Sequence, residues 1–380
     1  MKYCCVMLST AKRLTPSPLR PAARRAVQSI APSSVERPWV AARLEHLADY
    51  CRRSGSPLSA DLLRRAAADV RARGPVWTLV RGRGWRGAAD DGLPMRLLGS
   101  VHRLVLEGRA PELARHYPTA GGVPSSTVGE VFVETIAAQL PALQELMERP
   151  VQTNQVGRCA VLLGGFLTAA ADTGLPLRLL EVGASAGLNL RWPEYWYEEP
   201  GMEWGDPSSP VRFIRTFEAG RPPLHLGATV AARRGCDLRP LDASSAEDCL
   251  SLLSFTWPDC RENVENLQGA LEVARRVSVE VDASEATPWL SAQLAEPARD
   301  QTTVVFHSFV LLYLDKRQRS AFARVLTQAG RKATVDAPVA HLSLEWRGPS
   351  PVMDLTLWPG GETRSLAVTL GQGSRHRWIA

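Results

Sequence analysis

Acidic residues are missing from the first 35 positions, lysine is almost missing from the whole chain, and no cysteine pair has the spacing CxxC. The acid-free segment carries Lys2, Lys12, Arg13, Arg20, Arg24 and Arg25. The formal net charge is +6, from 45 basic and 39 acidic side chains; without those six the balance is 39 against 39. The positive excess is therefore confined to one end, and the neutral remainder gives little support to a nucleic-acid-binding surface. Lysine occurs at positions 2, 12, 316 and 332 only, against 41 arginines, a bias that reflects GC-rich coding more than function. Cys4, Cys5, Cys51, Cys159, Cys236, Cys249 and Cys260 are odd in number. They suggest neither a disulfide framework nor a metal site, and reduced thiols in a cytoplasmic protein are expected. No apolar run reaches the roughly 18 residues of a membrane-spanning helix, so no membrane partner is expected. The apolar stretch of the leader is too short and interrupted for a signal peptide. A transit peptide, a disordered leader and a start codon assigned too far upstream all remain open for it.

What is present fits 380 residues of globular protein, 45% apolar and 22% charged. Residues 1–35, rich in Pro, Ser and Arg, are expected to be a disordered basic leader. From residue 36 to 150 the apolar spacing is helical: Leu44, Leu47 and Cys51 share a face, SPLSADLLRRAAADVRA starts at Ser59 or Asp61, and MRLLGSVHRLVLEG follows a glycine-dense loop. From 151 to 380 the texture alternates. LRLLEVG, VAARRGCDL, VSVEVDA, TTVVFHSFVLLYL and VAHLSLEW read as strands. AEDCLSLLSFTW, CRENVENLQGALEVARR, ATPWLSAQLAE and DKRQRSAFARVLTQAG read as helices between them. LTLWPGGETRSLAVTLG closes the chain as a hairpin. The expected fold class is α/β: a doubly wound, Rossmann-like, mostly parallel sheet with an antiparallel C-terminal hairpin, behind an all-helical region.

The sharpest local feature is Leu179-Leu180-Glu181-Val182-Gly183-Ala184-Ser185-Ala186-Gly187-Leu188-Asn189-Leu190. An apolar strand ends in an acid and then turns through small residues, with a helix expected next. At the carboxyl edge of an α/β sheet such a turn lets a ligand approach the main chain. Exposed N–H groups and a helix dipole would favour a carboxylate or phosphate, and Glu181 would accept from an ammonium or hydroxyl. The spacing acid-x-Gly-x-Ser-x-Gly, through Gly183, Ser185 and Gly187, resembles the first motif of class I S-adenosylmethionine-dependent methyltransferases. It does not match GxGxxG, which disfavours a dinucleotide. A glycine-rich turn used only for packing is the other reading.

Further candidates sit at later strand ends. Asp237, backed by Asp242, is placed to bind ribose hydroxyls, or else caps the helix near Ser245. Asp282 is placed to accept from an adenine amino group, or else to cap. His307 ends the fourth strand, as a general base or as a buried structural histidine. Arg191-Trp192-Pro193-Glu194-Tyr195-Trp196-Tyr197 and Trp204 are expected to wall a substrate pocket or to bury against the helical region. Asn189, Trp192 and Tyr195 join the candidate substrate residues on that basis. In the polar segment 152–158, Arg158 is the candidate partner for an anion.

QTNQVGRC, LLEVGASAGLNL, WGDPSSPV, GCDLRPLD, SFTWPD and VVFHSFVLLYL, in this order, resemble the bacterial, largely actinobacterial, domain of unknown function 2332. The family usually carries Glu where this chain has Gln155, which leaves an acid or base role there without support. The resemblance implies a fold more than a chemistry. The functional expectation is methyl transfer from S-adenosylmethionine to an unidentified small molecule. Gly183, Ser185, Gly187, Glu181, Asp237 and Asp282 would hold the cofactor, with no metal. The alternative is a non-catalytic ligand-binding or regulatory protein on the same fold.

Overall fold

The structure, a computed structural model, describes residues 33–83, 92–370 and 375–380. The expected leader lies outside the described residues except for its last three positions, which already belong to a helix. The glycine-dense loop lies partly outside them as well.

Among the described residues seven helices come first: α1 (Ser33–Arg53), α2 (Pro57–Ala72), α3 (Pro75–Val80), α4 (Leu93–Leu106), α5 (Pro111–Ala114), α6 (Val128–Ala138) and α7 (Leu140–Leu146). Leu44, Leu63, Leu97 and Phe132 are fully buried where their apolar stripes meet. The chain continues through α8 (Cys159–Thr173) and β1 (Leu177–Val182). An insertion then carries β2 (Trp196–Glu199), β3 (Met202–Gly205), β4 (Arg212–Ile214) and β5 (Phe217–Ala219). After it come β6 (Val230–Asp237), α9 (Ala246–Ser254), α10 (Arg261–Arg276), β7 (Glu280–Ala283), α11 (Ala286–Gln293), β8 (Thr302–Ser308) and α12 (Lys316–Lys332). The end is β9 (Val339–Arg347), β10 (Ser350–Trp358), β11 (Glu362–Leu370) and β12 (Arg375–Trp378).

The main sheet has nine strands in the order β5-β12-β11-β10-β9-β8-β1-β6-β7. From β7 to β9 all neighbours are parallel; from β9 to β12 they alternate in direction. The protein is thus mixed α/β, with a mostly parallel centre and an antiparallel hairpin that turns at Gly360-Gly361 between β10 and β11. The chain enters at β1, moves outward to β6 and β7, and returns on the other side for β8 and β9. That reversal opens a crevice beyond the carboxyl ends of β1 and β8. β8 is buried at all seven positions, as a strand covered on both faces must be.

The helix α8 is apolar all round because it lies against this sheet. An 18-residue window, Val156–Thr173, is long and apolar enough to cross a membrane by length and composition, and 72% of it is buried inside the protein. Gly164 and Gly165 make the close contact possible: a Cβ on either would stand 2.4 Å from the ring of Trp378 or the side chain of Leu342.

Two expectations are corrected. No α-helix follows the glycine loop; Asn189–Glu194 forms a 3-10 turn, and β2, β3 and β4 make a separate three-stranded sheet. Pro193 has no N–H and blocks a longer helix, while Trp192 and Tyr195 are drawn fully into the core. The strand expected through VLLYL stops at Ser308, because Phe309 turns left-handed at φ 57° and Leu311–Tyr313 is 3-10.

The helical region docks through the segment SFTWPD. Trp257 is buried in the helical core. Asp259 accepts from Ser56 Oγ and, at 2.8 Å, from Leu58 N at the start of α2. His102 Nδ1 meets Ser254 O at 3.1 Å, and the Arg103 guanidinium pairs with Glu107 and Glu247. These contacts hold the helices over the carboxyl edge of the sheet.

Candidate functional site

A cleft of about 1050 Å³ lies between that helical roof and the carboxyl ends of the parallel strands. Tyr50, Met95 and Arg96 contribute from the roof; Gly183, Ser185, Asp237 and Ser308 contribute from the sheet edge. Its charged lining is balanced, with Arg96, Arg158, Arg239 and Arg317 against Glu148, Asp237, Glu285 and Asp315.

The glycine loop faces this space, but its amides are already engaged. Gly183 N and Ala184 N both donate to Cys236 O at 2.9 Å, and Gly187 N donates to Ala184 O at 2.7 Å. Ser185 N donates to Asp237 Oδ2 at 3.0 Å and Leu188 N to Asn154 Oδ1 at 3.0 Å. With no helix behind it, the loop is not the amide-and-dipole cradle for an anion that its sequence suggested. It provides shape. Gly183 sits at φ 72°, and a Cβ there would come within 2.6 Å of Val310. Ser185, left-handed at φ 53°, is held by its Oγ donating to Gln152 Oε1 at 2.6 Å.

The three acids named from sequence have three different surroundings. Asp237 lines the cleft and accepts from Ser185 N and, at 2.9 Å, from Arg239 N. Each of its oxygens keeps a further lone pair for a ligand. Glu181 is 2% exposed, beneath the loop. Its Oε1 accepts from Asn189 Nδ2 at 3.3 Å, and its Oε2 has no partner among the described residues. Burial pushes its carboxyl up to about 8, against the opposing hydrogen bond from Asn189. Asp282 is outside the cleft lining; it accepts from Arg234 Nε and Nη2, at 2.7 and 2.9 Å, and from Trp289 Nε1 at 2.6 Å. The Arg234 hydrogen bond holds it below the usual carboxylate range. Asp242 stays in its own turn, accepting from Ser244, while Ser245 caps α9.

His307 is fully buried and does not line the cleft. Its Nδ1 meets Glu345 Oε1 at 2.8 Å and its Nε2 meets His341 Nε2 at 3.0 Å. A carboxylate only accepts, so His307 donates from Nδ1, and one proton bridges its Nε2 and His341 Nε2. Burial, with His307 alongside, pushes His341 down to about 3. Glu345 Oε1 also accepts from Val310 N at 2.8 Å and Leu311 N at 3.1 Å, so this buried chain holds the backbone that lines the cleft after β8.

Among the candidate substrate residues only Arg158 reaches the cleft. Asn189 is buried against Glu181 and Cys159. Trp192 stacks on Phe166 with centroids 4.9 Å apart, and Tyr195 OH donates to Leu188 O at 2.7 Å. Gly187 lies behind the loop, its Cα facing Val279 and Val281. Cys236 does line the cleft, and burial pushes its thiol up to about 12, so it is no thiolate at neutral pH. Among the described residues no cluster of three or more His, Cys, Asp or Glu is placed to hold a metal ion. Residues that sequence reasoning passed over include Gln152, which ties the glycine loop, through Nε2, to Arg239 O at 3.1 Å. Tyr50, Tyr313, Trp346 and Glu345 were also missed; they gather only through tertiary packing, and no local pattern marks them.

Residues 41–378 match the model of a family described as an uncharacterized protein conserved in bacteria, domain of unknown function 2332. The chain belongs to that family. No curated protein and no solved structure matched it.

Proposed function

We propose that this protein is a cytoplasmic S-adenosylmethionine-dependent methyltransferase acting on a small molecule, on a Rossmann-like methyltransferase-type fold. The observation that carries the reading is the meeting of Gly183, Ser185 and Asp237 in one cleft at the carboxyl ends of β1 and β6, beside the point between β1 and β8 where the strand order reverses. The residues fit the cofactor in three respects. The left-handed backbone at Gly183 and Ser185 turns the main chain along the cleft edge beside Asp237, and the Asp237 carboxylate has lone pairs to accept from vicinal hydroxyls. The four cations and four anions of the lining suit a zwitterion better than a polyanion. When bound, S-adenosylmethionine supplies an activated methyl group on a sulfonium. The chain's part is to position: Gln152 fixes Ser185, Ser185 N orients Asp237, and the Glu345–His307–His341 chain fixes the wall from Phe309 to Tyr313. No general base faces the cleft from His307, and methyl transfer needs chiefly alignment.

Thermal unfolding with S-adenosylmethionine and S-adenosylhomocysteine tests this: a rise in Tm with both supports it, and no shift at millimolar ligand refutes it. The internal bonding of the loop amides favours a second reading, a ligand-binding or regulatory protein without catalysis. Cofactor binding with no methylated product across a metabolite panel would select that reading.

A further inference from the structure

The half of the cleft over β8 and β9 differs from the half beside the glycine loop. β8 is the direct neighbour of β1, so this half adjoins the glycine loop, where Gly183 packs against Val310; Asp237, at the end of β6, stands two strand spacings from β8, about 10 Å. Arg158 stands in the β8–β9 half, partly exposed. Its Nη1 donates to Ser308 O at 3.2 Å and Ser308 Oγ at 3.0 Å, and its guanidinium lies 4.7 Å from the centroid of Phe309. Its Nε is buried without an acceptor, and no carboxylate among the described residues pairs with it. The side chain as a whole is partly exposed and lines the cleft, so the outer edge of the guanidinium is open to an acceptor on a ligand.

Aromatic rings surround that cation. Trp257 meets Tyr50 edge-on at 6.1 Å, Tyr50 meets Trp346 edge-on at 5.7 Å, and Trp346 meets Phe309 at 6.2 Å. Tyr313 and Trp346 line the cleft with 48% and 44% of their surface exposed. Uncovered ring faces beside an unpaired guanidinium are recognition chemistry for a flat apolar anion. The one guanidinium that stands among these rings matches one carboxylate.

We infer that the β8–β9 half of the cleft binds an aromatic monocarboxylate, its carboxylate on Arg158 and its ring among Tyr50, Phe309, Tyr313 and Trp346. It rests on the methyltransferase reading only in taking this half as the side of the second substrate; the binding itself does not need the cofactor.

The test is calorimetric titration of the full chain with acetate, benzoate and 2-naphthoate, beside benzamide and 2-naphthamide, without cofactor. Affinity should rise from acetate to 2-naphthoate, with the amides far weaker. Arg158→Gln should weaken 2-naphthoate roughly tenfold or more, with S-adenosylmethionine changed much less. Should Arg158→Gln not fold, Trp346→Ala, at an exposed position, should weaken 2-naphthoate more than acetate. No binding of 2-naphthoate at millimolar concentration, equal binding of acid and amide, or unchanged affinity in both variants overturns the inference. So does an Arg158→Gln protein that loses S-adenosylmethionine but keeps 2-naphthoate, for then Arg158 belongs to the cofactor's own carboxylate. Cofactor binding without carboxylate binding removes this inference and leaves the methyltransferase reading standing; the converse removes that reading and leaves this one.

Discussion

The two flanks of the cleft treat their polar groups in opposite ways. Beside the glycine loop, the amides of Gly183, Ala184, Ser185, Gly187 and Leu188 each have an internal acceptor, and Asp237 is oriented by two of the neighbouring amides. Over β8 and β9, Arg158 keeps a buried donor without an acceptor among aromatic faces. The first flank satisfies its loop amides and leaves open acceptors on two acids, Glu181 Oε2 and the remaining lone pairs of Asp237; the second leaves an open donor on Arg158. A glycine-rich turn therefore need not be a hydrogen-bonding cradle, and the unsatisfied chemistry of a cleft can lie where no motif points.

The largest effect should come from the support of the second flank. Glu345→Ala removes the acceptor of His307 Nδ1, Val310 N and Leu311 N together. It should cost about 4 kcal/mol in urea unfolding; a loss below about 1 kcal/mol would show that the wall after β8 stands without it. On the first flank, Gly183→Ala forces a side chain into a left-handed position against Val310, at about 3 kcal/mol. An unchanged urea midpoint would mean that the loop adapts and its shape is not fixed.

Glu181, beneath the loop, gives a pH signature. Its folded value of about 8 stands above the usual 4.5. Its contribution is full below 4.5, declines as the pH rises toward 8, and stays lost above that. Glu181→Gln should therefore remove a pH-dependent difference on the order of a few kcal/mol. Parallel stability profiles for the two proteins would place the carboxyl in water instead. Smallest is Ser185→Gly: relief of the left-handed serine offsets loss of the bond to Gln152, and the net change should stay within about 1 kcal/mol. A larger loss would make the Gln152 bond, not the backbone, the determinant of the loop.

Much of the framework was legible because it is local. The acid-to-glycine run at 181–187, the continuous apolar β8 and the helical spacing of DKRQRSAFARVLTQAG in α12 each follow from neighbouring residues. The small sheet of β2, β3 and β4 was not, since strands of three or four residues carry no readable alternation. The aromatic insertion looked like a pocket wall because burial in a core and burial against a ligand demand the same side chains. Asp282 looked like Asp237 because both end a strand; Arg234, 48 positions away, takes the first and leaves the second facing the cleft. The second flank brings Tyr50, Arg158, Phe309 and Trp346 together from four distant stretches, and no spacing announces it.

The most direct measurement is the affinity of S-adenosylmethionine, by calorimetry, for the wild type, Asp237→Ala and Asp282→Ala. The account predicts binding to the wild type and to Asp282→Ala, and at least about tenfold weaker binding to Asp237→Ala with the fold retained. No heat from the wild type at millimolar ligand, or equal affinity in all three proteins, would contradict it.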